Sequence, residues 1–240
     1  MADQFHCATL SWSGMGHSDW RDHYSLDLFA DEIDGAIATL GLAANGTLPL
    51  IVAHSYGTMI AARWAERQAA KGTGRVPGMV LIDRIALDPE APWQPPVPRS
   101  HPARRYPSLA AALMNIRLSP PDPCDNLFLV DHLAREGVRR CEAPGEPEQW
   151  MVRYDVTMRG RLSGEDQTLF GRIDCPLAFV WGGRSRSLTY GGPEFIARRY
   201  PAAPSVVIPE SGHHVMLDQP LALIAALRAL LACWPPRAGA

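Results

Sequence analysis

The stretch that most constrains this chain runs from Leu48 to Ala62 and combines a strand, a sharp turn and a helix. It opens with Leu-Pro-Leu-Ile-Val-Ala, a short apolar run typical of a buried strand. After the segment His-Ser-Tyr-Gly, the spacing of apolar residues from Thr58 onward predicts a helix. A strand that passes into a helix this quickly places Ser55 on a tight turn, with its hydroxyl raised above the sheet.

The turn at Ser55 is predicted to hold the serine in a strained backbone conformation. Such a turn favours small residues two positions before and two positions after the serine, which here are Ala53 and Gly57. The usual pattern is Gly-x-Ser-x-Gly, and alanine is small enough to replace the first glycine. A serine in this context is typical of a nucleophile, although a serine also occurs in turns by chance.

Beyond this stretch the sequence alternates between short apolar strands and helices. Besides Leu48–Ala53, strands are predicted at Phe5–Leu10, Gly78–Asp83, Leu177–Trp181 and Ser205–Pro209. Helices are predicted at Leu26–Leu42, Gly192–Tyr200 and Leu221–Trp234. The alternation implies an α/β fold, with a mostly parallel sheet and helices on both faces. All these strands are near-continuous apolar runs, which are typical of strands buried on both faces.

The middle of the chain has a different character. Residues 89–123 are dense in proline and are therefore predicted not to form regular sheet. Short helices are expected at Ser108–Ile116 and Asn126–Gly137. We therefore predict a core made of residues 1–83 and 173–240, with residues 84–172 inserted as a helical lid above the strand ends.

Composition excludes several classes of function. The 240 residues carry a net charge of −2, which argues against nucleic acid or an anionic membrane as a partner. Five separated cysteines without a Cys-x-x-Cys pair indicate free thiols in a reducing compartment. The start of the chain does not have the pattern of a signal peptide, and the spacing of His and Cys predicts no metal site. We expect a cytoplasmic protein without a cofactor, acting on a small molecule.

The chain resembles the α/β-hydrolase fold family. The resemblance rests on Ala-x-Ser-x-Gly around Ser55, on the loop Gly14-Met15-Gly16-His17-Ser18, and on Ser211-Gly212-His213 followed by Asp218-Gln219-Pro220. The loop at Gly14 is similar to the family's Gly-x-Gly-x-Ser after its fourth strand, and Asp83 is similar to an acidic residue often found after its sixth strand. The resemblance covers nearly the whole chain apart from the lid.

The resemblance also implies a deficit at the start of the chain. In the family a His-Gly loop lies well upstream of the Gly-x-Gly-x-Ser loop, whereas here only about a dozen residues precede Gly14. The chain is therefore expected to begin at the family's fourth strand, as in a truncated reading frame. The first three strands and the His-Gly loop would have no counterpart.

A serine nucleophile needs a base within hydrogen-bond reach and an acid that orients the base. The base candidate is His213, because it follows a strand end and a Ser-Gly turn. In the alternative His213 only caps a loop, and the base is His214 or neither histidine. The family's usual acid position, in the Gly182–Ser185 loop, holds Ser185 in place of Asp. Asp83 is therefore the candidate acid, with capping of a loop as its alternative role.

Two other aspartates and the oxyanion hole complete the candidate site. Asp174 precedes its strand and lies at the wrong end of the sheet, and Asp218 is expected to cap the last helix. The resemblance implies that the backbone N–H of Tyr56 is one oxyanion donor. The second donor would come from the His-Gly loop that the chain is expected to lack.

The predicted lid supplies candidate residues for a substrate pocket, although aromatic residues in a lid more often serve its own packing. These residues are Trp93, Tyr106, Met114, Trp150, Tyr154 and Met158. An apolar lid favours an apolar small-molecule substrate. Two functions are compatible with the sequence: a serine hydrolase acting on an ester, thioester, amide or activated C–C bond, or a non-catalytic family member without a complete oxyanion hole.

Overall fold

The computed structural model describes residues 1–43, 46–72, 74, 76–83, 104–141, 147–158, 162–163, 173–189, 192–232 and 234. The chain divides into two compact units. The first contains Met1–Ala8, Leu26–Trp93 and Asp166–Ala240, and the second contains Thr9–Ser25 and Gln94–Glu165. That residues 84–172 form a lid over the core remains a prediction.

Strands and helices alternate in the first unit, as predicted. The strands of the described chain are β1 Tyr24–Ser25, β2 Ile51–His54, β3 Met79–Ile82, β4 Val138–Cys141, β5 Gln149–Val152, β6 Leu162–Ser163, β7 Leu177–Gly182 and β8 Ser205–Ile208. The helices are α1 Leu26–Thr39, α2 Tyr56–Lys71, α3 Leu109–Leu113, α4 Leu127–Glu136, α5 Arg186–Thr189, α6 Gly192–Arg199, α7 Val215–Asp218 and α8 Pro220–Ala232.

The first unit is built on a parallel sheet with the strand order β2-β3-β7-β8. The predicted α/β fold, with a mostly parallel sheet flanked by helices, is confirmed. Apolar side chains of β3 and β7, including Val80 and Val180, pack against Leu223 and Leu227 of α8. Each fully buried side chain of this size contributes about 1.5–3 kcal/mol to folding. This packing fixes the strand ends that carry the candidate site.

Only the two central strands are buried along their whole length, so the prediction that every strand is buried on both faces is wrong. All residues of β3 and β7 are buried, whereas β2 and β8 form the edges of the sheet that the structure describes. Val52 of β2 is 45% exposed and Val207 of β8 is 51% exposed. A strand at an edge has a neighbour on one side only, and an apolar sequence does not distinguish the two positions.

The predicted strand at Phe5–Leu10 is also wrong. The segment has no strand, and both Phe5 and Leu10 are 39% exposed. Backbone N–H groups of Gln4 and Phe5 instead donate to the carbonyl of Met1 at 3.0 and 3.1 Å, which closes a turn. An apolar run forms a strand only where a neighbouring strand completes its hydrogen bonds, and none in the described chain pairs with this segment.

Helix α2 is fixed against α1 by a buried aromatic residue and its polar partner. Trp64 is fully buried, and its Nε1 donates to Oδ1 of Asp34 at 2.7 Å. Gln68 Nε2 donates to the same oxygen at 2.8 Å, and Lys71 Nζ pairs with Oδ2 at 2.7 Å. A buried indole N–H needs such a partner, so the contact fixes the position of the helix that follows Ser55.

In the second unit the predicted short helices are present as α3 and α4, with Ser108 capping α3 through a bond from Ala111 N–H to its Oγ at 3.2 Å. The antiparallel pair β4–β5 was not predicted, because the exposed Arg139 and Arg140 interrupt any apolar pattern in β4. Of the proline-dense stretch, residues 89–103 lie outside the described part.

Within the part described, no helix is both long enough and apolar enough to cross a membrane.

Candidate active site

The candidate residues follow the carboxyl ends of strands that belong to one parallel sheet. Ser55 follows β2, Asp83 follows β3, and His213 lies in the loop after β8. Parallel strands end at the same edge of a sheet, so residues distant in sequence meet there. All of them belong to the first unit.

The turn at Ser55 has the strained backbone that the sequence predicts. Its φ of 51° and ψ of −125° lie in a region that residues with a side chain rarely occupy. Ser55 N–H donates to the carbonyl of Ile82 at 3.1 Å. The Ser55 carbonyl accepts from Thr58 N–H at 3.0 Å and from Thr58 Oγ1 at 2.6 Å. Contacts on both sides therefore hold the turn in place.

Within the described residues there is room for a side chain at position 57, so the structure does not show the expected need for a small residue there. A Cβ built on Gly57 meets no heavy atom within 4 Å among the described residues. Gly57 is also not one of the glycines with a positive φ. In this turn the positive φ belongs to Ser55, and the helix begins immediately after it.

A hydrogen-bonded chain joins Ser55, His213 and Asp83. His213 Nε2 lies 2.7 Å from Ser55 Oγ, and His213 Nδ1 lies 2.6 Å from Asp83 Oδ2. His213 is 3% exposed and Asp83 is fully buried. An ionised carboxylate can only accept, so Nδ1 carries the proton and Nε2 is left to accept from the serine hydroxyl. This tautomer allows the imidazole to act as a base toward Ser55.

Both carboxylate oxygens of Asp83 accept from donors at the end of β7 and in the turn that follows it. Gly182 N–H donates to Oδ1 at 2.9 Å, and Ser185 Oγ donates to Oδ2 at 2.5 Å. A buried charge is costly unless hydrogen bonds replace its water. Asp83 also has a positive φ of 42°, a second strained position at the strand ends. The role of Ser185 as a partner is not evident from the sequence, where this position is notable only for the absence of a carboxylate.

A glycine at position 182 allows the turn after β7 to approach the histidine loop. A Cβ built on Gly182 would lie 2.0 Å from the carbonyl oxygen of Gly212 and 2.8 Å from that of Ser211. Real Cβ atoms do not come this close to backbone. Any side chain at 182 would therefore push the loop before His213 away from Asp83.

The histidine loop is fixed by further backbone contacts. Arg184 N–H donates to the carbonyl of Ser211 at 2.8 Å. Gly212 N–H donates to Asp218 Oδ2 at 2.7 Å. Asp218 ends α7 and holds this loop, so the expectation that it caps the last helix is wrong. Because α8 begins with Pro220, that helix starts one residue later than an N-cap at Asp218 requires.

His54 is a second histidine at the site that the sequence analysis missed. Its Nε2 lies 2.8 Å from the carbonyl oxygen of His213, and the two rings are 4.7 Å apart. Since a carbonyl only accepts, Nε2 of His54 carries a proton and donates. Burial lowers the pKa of His54 to about 4, and the positive charge that His213 acquires on protonation adds to the effect. The sequence feature that could have indicated a role for His54 is its position immediately before Ser55.

The lowered pKa of His54 predicts a loss of stability in acid. The unfolded state binds a proton below about pH 6.5 and the folded state only below about pH 4, so stability falls as pH drops between these values. At pH 4.5 this loss amounts to about 2–3 kcal/mol of unfolding free energy. His54→Gln keeps an N–H donor and does not titrate, so urea denaturation at pH 7 and pH 4.5 should show a smaller loss. Equal losses in both proteins would contradict the prediction.

The remaining predicted residues are placed as follows. Tyr56 is the first residue of α2, where a backbone N–H has no acceptor within the helix. Trp93 lies outside the described residues, while Trp150, Tyr154 and Met158 belong to the second unit. Their role as pocket lining, together with that of Tyr106 and Met114, remains a prediction. Trp150 Nε1 donates to Glu148 Oε1 at 3.0 Å, and Tyr154 is 49% exposed.

A cavity of about 900 Å³ in the first unit lies away from this site. Pro176 and Val76, which precede β7 and β3, line it together with Ala65 and Ala69 of α2. These positions mark the amino end of the strands. None of Ser55, Asp83 and His213 belongs to its lining, so the cavity is not a pocket for their substrate.

A family profile, a sequence relative and a solved structure were each found to be similar to this chain. The sequence profile of the alpha/beta hydrolase family matches residues 1–227. Esterase Rv0045c of Mycobacterium tuberculosis is 28% identical over 231 residues, a match that covers 91% of this chain and 72% of the esterase. The crystal structure of that esterase aligns with a TM-score of 0.68 at 26% identity, and covers 92% of this chain and 73% of the other.

A further solved structure shares the fold. E-2-(acetamidomethylene)succinate hydrolase aligns with a TM-score of 0.65 at 20% identity, covering 92% of this chain and 79% of that protein. At this level of identity the likeness concerns the fold alone.

Proposed function

The chain belongs to the α/β-hydrolase family, and from that membership we propose that it is a serine hydrolase acting on a small apolar substrate. The bond cleaved is an ester, thioester, amide or activated C–C bond, with an ester as the first choice. The observation that carries the proposal is the continuous chain of contacts from Ser55 Oγ through His213 to Asp83, at 2.7 and 2.6 Å. The resemblance to an esterase supports the choice of an ester.

In the proposed reaction, Ser55 Oγ attacks the carbonyl carbon of the ester while His213 Nε2 takes the hydroxyl proton. The negative charge of Asp83 stabilises the imidazolium that forms. The tetrahedral intermediate collapses when the C–O bond to the alcohol breaks, and the imidazolium returns its proton to the leaving alcohol. A water molecule then repeats the sequence on the acyl-enzyme, releasing the acid and restoring Ser55.

The developing oxyanion needs donors that are fixed before the reaction begins. We propose the Tyr56 N–H for one of them, since it opens a helix of sixteen residues directly after the nucleophile. The positive end of the helix dipole also favours negative charge at this point. A cytoplasmic location and a reaction without a cofactor remain predictions.

The proposal is tested by labelling the folded protein with a fluorophosphonate probe and mapping the modified peptide by mass spectrometry. We expect a single adduct on Ser55, together with release of p-nitrophenol from short-chain p-nitrophenyl esters. Heat-denatured protein is the control and should not be labelled, because the serine is activated only by the folded site. A protein that neither reacts with the probe nor cleaves the esters would be the non-catalytic family member, and the proposal would fail.

A further inference from the structure

We propose that Ser185 is a positioning residue that holds the Asp83 carboxylate toward His213. This inference rests on the proposed function and extends it to a residue outside the Ser55-His213-Asp83 chain. Ser185 is 3% exposed, and its Oγ lies 2.5 Å from Asp83 Oδ2. The same oxygen accepts from His213 Nδ1 at 2.6 Å, so Ser185 and His213 meet at one acceptor.

The chemistry of the three groups fixes the direction of each bond. Oδ2 of an ionised carboxylate can only accept, so the hydroxyl of Ser185 must donate to it. Hydrogen bonds to a charged acceptor are stronger than those between neutral groups. The Ser185 hydroxyl therefore stabilises the charged form of Asp83 that the proposed reaction needs.

The backbone aims this hydroxyl at the carboxylate. Ser185 N–H donates to the carbonyl of Gly182 at 3.0 Å, and the Ser185 carbonyl accepts from Leu188 N–H at 3.2 Å. The turn from Gly182 to Ser185 therefore supplies one donor to each oxygen of Asp83, the Gly182 N–H to Oδ1 and the Ser185 hydroxyl to Oδ2. One donor on each oxygen prevents rotation of the carboxylate plane.

Loss of the Ser185 hydroxyl would remove one of the donors that hold Oδ2 in place. The carboxylate would then be held less firmly against rotation about its own bond. Misorientation of the imidazole affects the proton transfer from Ser55 but not the binding of substrate in the ground state. A role in positioning therefore predicts a fall in kcat without a matching rise in KM.

The test compares Ser185→Ala, Ser185→Thr and Ser205→Ala with the wild-type protein. Ser205→Ala is the control for a lost hydroxyl: its Oγ accepts from Trp181 Nε1 at 2.9 Å, at the opposite end of β8 from the site. We expect Ser185→Ala to lower kcat on a p-nitrophenyl ester by about tenfold to a hundredfold, with KM changed less than twofold. Ser185→Thr, which keeps a hydroxyl, should recover most of the rate, and Ser205→Ala should keep the wild-type kcat.

The rate of fluorophosphonate labelling of Ser55 separates the possible failures. If wild-type protein is labelled and Ser185→Ala is labelled at the same rate with an unchanged kcat, the role of Ser185 is overturned while the proposed function stands. If wild-type protein is neither labelled nor active, the proposed function itself fails. A fall in kcat that Ser205→Ala shares, or that follows loss of folded protein in thermal melts, would also overturn the positioning role.

Discussion

Ser55→Ala is expected to lower kcat on an ester by about a millionfold, because it removes the atom that forms the acyl-enzyme. His213 and Asp83 then have no hydroxyl to activate, and a water molecule in place of the serine lacks its fixed position. Residual catalysis of about 10³–10⁴-fold over the uncatalysed reaction should remain, supplied by substrate binding and the oxyanion donors. Steady-state kinetics with p-nitrophenyl esters would measure the loss.

The fold should survive this substitution, since the contacts that fix the turn use the Ser55 backbone. Thermal melts of the variant should therefore match those of the wild type. Ser205→Ala is a suitable control because it removes a hydroxyl at the far end of the sheet. If Ser55→Ala kept more than a tenth of the wild-type kcat, the nucleophile would have to be another residue.

Asp83→Asn is expected to lower kcat by about 10⁴-fold. Both carboxylate oxygens of Asp83 accept from donors, Oδ1 from Gly182 and Oδ2 from Ser185 and His213. In either orientation of the new Asn side chain, its NH₂ group therefore faces another donor where the carboxylate had an acceptor. If it faces His213, it donates to Nδ1, the ring proton moves to Nε2, and Nε2 can no longer accept the proton of Ser55.

The matched control is Glu210→Gln, which neutralises another carboxylate near the same strand ends. Glu210 is exposed and lies 3.4 Å from the Arg184 guanidinium, so its loss should leave kcat within about twofold of the wild type. Both variants should remain folded by circular dichroism. Near-normal activity of Asp83→Asn together with an inactive Glu210→Gln would identify Glu210 as the acid.

The parts of the site that the sequence predicts are those that follow from strand order. Ser55 and Asp83 come directly after apolar runs, and parallel strands bring such positions to one edge whatever their separation in the chain. The family pattern around His213 supplied the third residue. The strand at Phe5–Leu10 was predicted from the same kind of apolar run and is wrong, because a strand also needs a neighbour that the run does not reveal.

What the sequence could not predict depends on contacts between loops. His54 and Ser185 reach their partners across separations of 159 and 102 residues, and no sequence pattern indicates these contacts. Gly182 is necessary because two backbones meet there, which only a three-dimensional arrangement determines. The pair β4–β5 was missed for a related reason, since its strands lack alternation and stabilise each other by pairing.

The positive φ angles of Ser55 and Asp83, 51° and 42°, bear on the laboratory evolution of this protein. Each such residue costs about 1–3 kcal/mol that the rest of the core must offset, and glycine would relieve that cost. A selection for heat resistance alone would therefore favour glycine at position 55 and discard the proposed chemistry along with that strain. A library screened for robustness needs a simultaneous requirement for turnover, or its most durable members will be inert.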